Sequence, residues 1–204
     1  FPYWTNVYHN EGLKKINQSY KKICVWLVLI SSIPFFIVFM FSNVLIDFLF
    51  GPNFKIINNY IIYFAFLSFF ITIWGPIESI FRVTANTKLL LYLRSFEALF
   101  ILLLIFPMTI YFDIFGAIIT YVIVSISSIL LYSFIAYTKF QMNPFSLNLF
   151  KLLFSIFISL IISSIMFDVF DDESIIKIIL ITVIHFSSLF TLLIYFKIIK
   201  FNLF

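Results

Sequence analysis

Two pairs of opposite charges near the middle of the chain carry residue types that bind anions. Glu78 and Arg82 stand four residues apart, and Arg94 and Glu97 stand three apart, so each pair shares one face of a helix. Charges inside apolar helices usually face a bundle interior or a water-filled cavity. A guanidinium binds phosphate through two parallel N–H donors, so Arg82 and Arg94, with Glu78 and Glu97 beside them, are candidate residues of an anion-binding site. The alternative is an ion-pair cluster at the helix ends near the lipid headgroups.

A second chemical signal is the Gly75-Pro76 dipeptide, which comes directly before Glu78. Proline lacks an N–H and clashes with the carbonyl four residues earlier, so a helix kinks there. A kink beside charged residues suits a hinge for alternating access, and a static kink is equally compatible with the pattern. Pro34 has the same interpretation with less support, because no charge lies near it.

The elements that position these residues must be membrane-spanning helices. Apolar residues make up 63% of the 204-residue chain, charged residues only 11%, and the mean hydropathy is +1.14. A soluble domain of this size leaves too much surface exposed to hide that composition, which argues against a soluble or nucleic-acid-binding fold. Continuous apolar runs of about 20 residues indicate helices rather than barrel strands. Six runs are predicted to span the membrane: 23–46, 56–77, 89–110, 114–138, 145–167 and 175–196.

The positions of the basic residues orient these spans. With six spans, eleven of the 13 Lys and Arg residues lie on the side of the termini, and only Lys55 and Lys177 lie on the other. Basic residues collect on the cytoplasmic side, so both termini are predicted to be cytoplasmic in a plasma-membrane protein. Asp113 and Gly116 bracket a tight outer turn, and Ser174 is expected to cap the last helix.

Residues 1–22 are predicted to form a cytoplasmic amphipathic segment. One helical face carries Leu13, Ile16, Tyr20 and Ile23, and the opposite face carries Lys14, Lys15, Lys21 and Lys22. The pattern fits a basic flank that sets topology or a surface that docks anionic lipid headgroups. The chain begins with Phe rather than Met, and we expect it to be part of a longer protein.

Other polar residues give weaker signals. Cys24 is the only cysteine, and His9 and His185 are the only histidines, so neither a disulfide nor a metal site is expected. We predict no cofactor, no catalytic residues and no enzymatic activity. His185 is expected to bond to a neighbouring helix, with a proton relay as the alternative. Four tyrosines are expected at the membrane interfaces, namely Tyr60, Tyr63, Tyr132 and Tyr137.

The order of several landmarks resembles the C-terminal part of polysaccharide flippases in the multidrug/oligosaccharidyl-lipid/polysaccharide exporter superfamily. The resemblance covers about residues 1–137. Its landmarks are Phe1-Pro2, Pro34, Phe50-Gly51-Pro52, Phe54, the polar stretch 82–88, and Phe115-Gly116-Ala117. Such transporters usually have 12–14 helices in two six-helix lobes. The resemblance implies an all-α membrane bundle of six helices that forms the C-terminal lobe, with 23–137 as its four-helix part and 138–204 as two further helices.

The resemblance also implies a function. The chain is expected to help flip a lipid-linked oligosaccharide across the membrane, with membrane lipids and a separate N-terminal lobe as partners. The rival within the superfamily is a cation-coupled multidrug exporter, a class that depends on acidic residues deep within its helices. The centres of the six predicted spans have no acidic residue. A membrane glycosyltransferase or ligase would need a large outer loop or outer carboxylates. A structural membrane subunit is the remaining alternative.

Overall fold

The computed structural model describes residues 2–169 and 175–198, and within these ranges the chain is helical without a strand. The all-helical prediction is therefore confirmed for this part of the chain. The described residues contain six α-helices, and a short 3₁₀ helix, Pro52–Ile57, follows the first of them. The α-helices are α1 (Pro2–Phe50), α2 (Asn58–Thr72), α3 (Ile77–Val83), α4 (Thr87–Phe140), α5 (Leu147–Val169) and α6 (Ile175–Tyr195).

Four of the described helices are long and apolar enough to cross a membrane, namely α1, α4, α5 and α6. The pair α2 and α3 meets the same condition jointly, with a bend of 42° between its members, which raises the count to five. The chain thus has the helices of a multi-pass membrane protein. The predicted count of six spans differs because residues of two predicted spans, 89–110 and 114–138, both belong to the 54-residue α4.

The chain reverses direction inside α4 at Asp113. This residue has φ 51° and ψ −137°, which no helix accommodates. A Cβ placed on Gly116 would overlap the carbonyl oxygen of Met108. On a straight helix these two residues, eight apart in the sequence, would be separated by about 12 Å. Residues 87–112 and 114–140 therefore form the two limbs of a tight hairpin. Glycine at 116 is required because the backbones touch there.

Helix α1 is also interrupted, at Gly12 and at Phe41. Gly12 has φ 74° and ψ −176°, a conformation that costs glycine little. Beyond this break Ile16, Tyr20 and Cys24 are fully buried. The apolar face of the predicted amphipathic segment therefore packs against the rest of the protein.

The bundle is organised around α1, which contacts α2, α3 and α5. One apolar core joins the start of α1 to α3 and the second limb of α4, around Tyr20, Phe81 and Tyr132. Another joins α1 to α5 and α6, around Val28, Leu152 and Leu189. Large apolar side chains cover the outside of the bundle, and Phe48 and Tyr111 are at least 80% exposed. Such a surface is suited to contact with lipid.

Candidate functional site

A break in the second predicted span forms one wall of the candidate site. Helix α2 ends at Thr72 and α3 begins at Ile77. Between them Gly75 adopts φ 53°, a left-handed conformation that glycine takes readily, and Pro76 precedes the first residue of α3. The predicted kink therefore lies at Gly75-Pro76. Its role as a moving hinge stays a prediction.

Helix α1 holds this break in place. The Tyr20 hydroxyl donates a 2.5 Å hydrogen bond to the carbonyl oxygen of Trp74. A Cβ on Gly75 would lie 2.9 Å from the Cys24 sulfur, so the break packs closely on α1. Pro76 has no N–H that needs an acceptor, and the carbonyl oxygen of Trp74 accepts its hydrogen bond from Tyr20. The backbone can therefore leave the helical hydrogen-bond pattern here while these polar groups stay satisfied.

The four predicted charges come together directly beyond the break. Arg94 donates one hydrogen bond to Glu78 and a second, 2.6 Å long, to Glu97. Arg82 lies 3.6 Å from the other Glu78 oxygen. The first limb of α4 thus presents Arg94 to both carboxylates, and Glu78 is shared between the two guanidinium groups. The grouping inferred from the sequence spacing is present as one connected network.

Tyr132 also belongs to this network, although its contact with the four charges was not predicted from the sequence. Its side chain is 2% exposed, its hydroxyl donates a 2.8 Å hydrogen bond to Glu97, and the Arg94 guanidinium lies 5.4 Å from its ring centre. The Tyr132 side chain therefore faces the protein interior, whereas Tyr137 is 60% exposed, and the interfacial depth expected for both tyrosines stays a prediction. A usable signal existed: Glu97 lies 16 residues before Asp113, and Tyr132 lies 16 residues after Gly116. Positions equidistant from a hairpin turn face each other.

The network lines a cavity of about 400 Å³ between α2, α3 and both limbs of α4. Its walls mix the ion pairs with hydroxyl groups and a few apolar side chains. The polar lining comprises Glu78, Ser79, Arg82, Arg94, Glu97, Tyr121, Ser125, Ser128 and Tyr132. Serine and tyrosine hydroxyls donate and accept hydrogen bonds, so the cavity offers contacts to phosphate oxygens and to sugar hydroxyls alike.

The two arginines of the site differ in how strongly they are engaged. Arg94 is held between two carboxylates, and the Glu97 side chain is only 13% exposed. Arg82 is 54% exposed and reaches a single carboxylate at 3.6 Å. Because a guanidinium has five N–H donors, Arg82 keeps more of them available to an incoming anion. In this conformation Arg94 mainly links the two carboxylates of the network.

The remaining sequence-predicted residues lie outside this cavity. Pro34 is within α1, where the only non-helical residues are Gly12 and Phe41, so α1 is not broken at this proline. His185 is fully buried on α6, its Nδ1 lies 3.3 Å from the Ser163 hydroxyl on α5, and its ring stacks on Phe36. The expected bond to a neighbouring helix is present. The acidic stretch 171–173 and Ser174 lie outside the described residues.

Comparison of the chain with protein-family descriptions, with curated proteins and with solved structures finds no match. The fold and the cavity therefore define the class only broadly. They describe a helical protein with several helices able to span a membrane and a charged cavity lined by a broken helix and a helical hairpin.

Proposed function

We propose that the chain is one helical lobe of a membrane transporter that flips a lipid-linked oligosaccharide. The observation that supports this most is the network of Glu78, Arg82, Arg94 and Glu97, which lines a cavity between long apolar helices. Charges in such a setting are costly and are usually retained for a substrate or ion pathway. A cavity that combines guanidinium groups with several hydroxyls suits a diphosphate joined to a sugar.

The proposed lobe has six spans. The first is α1, the broken pair α2 and α3 is the second, the two limbs of α4 are the third and fourth, and α5 and α6 complete it. The asymmetry of basic residues favours an orientation with both termini in the cytoplasm of a plasma-membrane protein. In this orientation the charged network lies at the cytoplasmic side, where a lipid-linked sugar is made available.

The proposed mechanism is an exchange of partners at Arg82. A diphosphate would replace the Glu78 carboxylate at the more exposed guanidinium, while Arg94 keeps the network assembled. The change in charge balance acts next to the Gly75-Pro76 break, and it would bias the tilt of α3 against α2. Alternating access of this kind works between two lobes around a central site, so a second helical lobe is the proposed partner.

Binding of a polyprenyl diphosphate to the detergent-purified chain tests the proposal. Native mass spectrometry would compare it with the uncharged polyprenol of the same chain length. We expect Arg82→Gln to weaken diphosphate binding about 10- to 150-fold, since a charge-assisted hydrogen bond contributes roughly 1.5–3 kcal/mol. The matched control is Lys88→Gln, which removes an exposed cation at the start of α4 and should change little.

Two outcomes would contradict the proposed function. Equal retention of polyprenol and polyprenyl diphosphate would mean that the lipid tail alone is bound. Equal losses in Arg82→Gln and Lys88→Gln would mean that general positive charge, rather than the cavity, attracts the diphosphate. In cells that lack a polysaccharide flippase, the whole transporter should restore surface polysaccharide, and the same transporter carrying Arg82→Ala should not, at equal membrane levels.

A further inference from the structure

A second cavity, separate from the charged network, lies between α1 and the start of α5. It has a volume of about 290 Å³, and we name it the lysine cleft. Its lining residues are Lys21, Lys22, Val25, Trp26, Leu29, Ser146, Asn148 and Ile198. Half of these side chains are polar or cationic and half are apolar, so the cleft is suited to an amphiphilic ligand.

Among the described residues, no acidic side chain neutralises the two lysines of the lysine cleft. Neither Lys21 nor Lys22 forms an ion pair with any acid in the described part of the chain, whereas Lys15 is paired with Glu11 at 3.3 Å. Opposite them lies the first turn of the 23-residue α5, whose positive dipole end adds to the same potential. Two ammonium groups beside a cavity without carboxylates favour an anion.

Asn17, one helical turn before Lys21, ties α1 to the chain segment that leads into α5. The Asn17 amide donates a 3.1 Å hydrogen bond to the Gln141 carbonyl oxygen, and its own oxygen accepts one of 3.2 Å from the Asn143 N–H. These two bonds fix the connection between α4 and α5 against α1. Because residues four apart share a helix face, they set Lys21 opposite the start of α5.

The apolar side of the lysine cleft follows α1 towards the middle of the bundle. Val25 and Leu29 continue the face of Lys21, and Ile198 closes the far side. Trp26 is 57% exposed, and tryptophan is enriched at the level of lipid headgroups. The polar and apolar parts are therefore ordered along the helix as the headgroup and the acyl chains are ordered in a lipid leaflet.

We infer that the lysine cleft is a binding site for the phosphate headgroup of an anionic phospholipid. The phosphate contacts the ammonium groups of Lys21 and Lys22, and the first part of an acyl chain packs on Val25 and Leu29. Basic pockets between membrane helices hold anionic headgroups in this manner. The apolar side distinguishes a lipid from free phosphate, which has nothing to place there. This site does not depend on the function proposed for the charged cavity.

Titration of the detergent-purified chain with phosphatidylglycerol, followed by native mass spectrometry, tests the inference. We expect phosphatidylglycerol to bind more tightly than phosphatidylcholine of the same chain length. The double variant Lys21→Gln/Lys22→Gln should bind it roughly 30-fold more weakly, from the usual contribution of two cations near a lipid surface. The matched control is Lys14→Gln/Lys15→Gln, which removes the same charge from the same helix away from the cleft and should have an effect of less than about twofold.

A second variant keeps both lysines and tests the cleft from the α5 side. Asn148→Glu places a carboxylate in the cleft, where it repels phosphate, while an acid in the first turn of a helix favours folding. It should weaken phosphatidylglycerol binding and leave the helical circular dichroism unchanged. Equal binding of the two lipids, equal losses in the two lysine pairs, or displacement of the lipid by millimolar inorganic phosphate would each overturn the assignment.

Discussion

The Glu97 carboxylate is bonded by side chains from both limbs of α4. It accepts hydrogen bonds from Arg94 on its own limb and from Tyr132 on the other. A carboxylate that is 13% exposed requires such partners, because an unpaired charge in this setting is costly. The network therefore stabilises the hairpin as well as lining the cavity.

Removing the hydroxyl of Tyr132 tests this structural contribution. We expect Tyr132→Phe to lower the free energy of unfolding by about 1.5–3 kcal/mol, the usual value for a hydrogen bond to a charged group. Equilibrium unfolding in mixed detergent micelles would measure it. Tyr137→Phe is the control, since that side chain is 60% exposed and should contribute little. Similar losses in both variants would refute the role of the Glu97 bond.

Gly116 sets the closeness of the two limbs at their turn. In Gly116→Ala the new methyl group meets the backbone of Met108, which cannot rotate away, so we expect a loss of about 3 kcal/mol or more. The comparison is Gly51→Ala, where φ is 84° and no atom lies within 4 Å. That variant should lose only about 1–2 kcal/mol from its left-handed backbone. If Gly51→Ala destabilised the protein more in the same unfolding measurement, close backbone contact would not be the reason for glycine at 116.

At the scale of the elements, the hairpin within α4 makes a distance prediction. Spin labels at Thr87 and Lys139 should lie within about 30 Å of each other, because packed helix axes are roughly 8–10 Å apart. A continuous helix would separate them by about 80 Å. Pulsed electron resonance on a Cys24→Ala background would distinguish the two arrangements. The control pair Thr87 and Asp113 should give about 40 Å in either case, and a long Thr87–Lys139 distance would exclude the hairpin.

The sequence was informative about elements and less so about their pairing. Long apolar runs located the helices, Gly75-Pro76 located the break, and Asp113 with Gly116 located the turn, because each is a local property of the backbone. The contact of Tyr132 with Glu97 was not predicted, because it depends on which residue faces Tyr132 across the hairpin. Likewise, the pairing of Arg94 with both Glu78 and Glu97 depends on how closely α3 approaches α4. Spacing along either helix does not specify that approach.

At the scale of the whole molecule, the charge asymmetry makes a topology prediction. Single cysteines at Asn53 and Asp113 should react with a membrane-impermeant maleimide added to intact cells, and those at Thr87 and Gln141 should react only after permeabilisation. The reason is that eleven of 13 basic residues fall on one predicted side. The background is Cys24→Ala, which removes the only cysteine. Reversed labelling would contradict both the orientation and the proposed cytoplasmic position of the charged cavity.

The reversal at Asp113 also bears on how the protein is made. The first limb of α4 leaves the ribosome with Arg94 and Glu97, and charged residues within a span oppose its insertion. Tyr132, which satisfies Glu97, is synthesised 35 residues later. Since only one non-helical residue separates the limbs, Glu97 gains its second hydrogen-bond partner, Tyr132, when the second limb is beside the first. The two limbs are therefore expected to pass from the translocation channel into the lipid together, as one insertion unit.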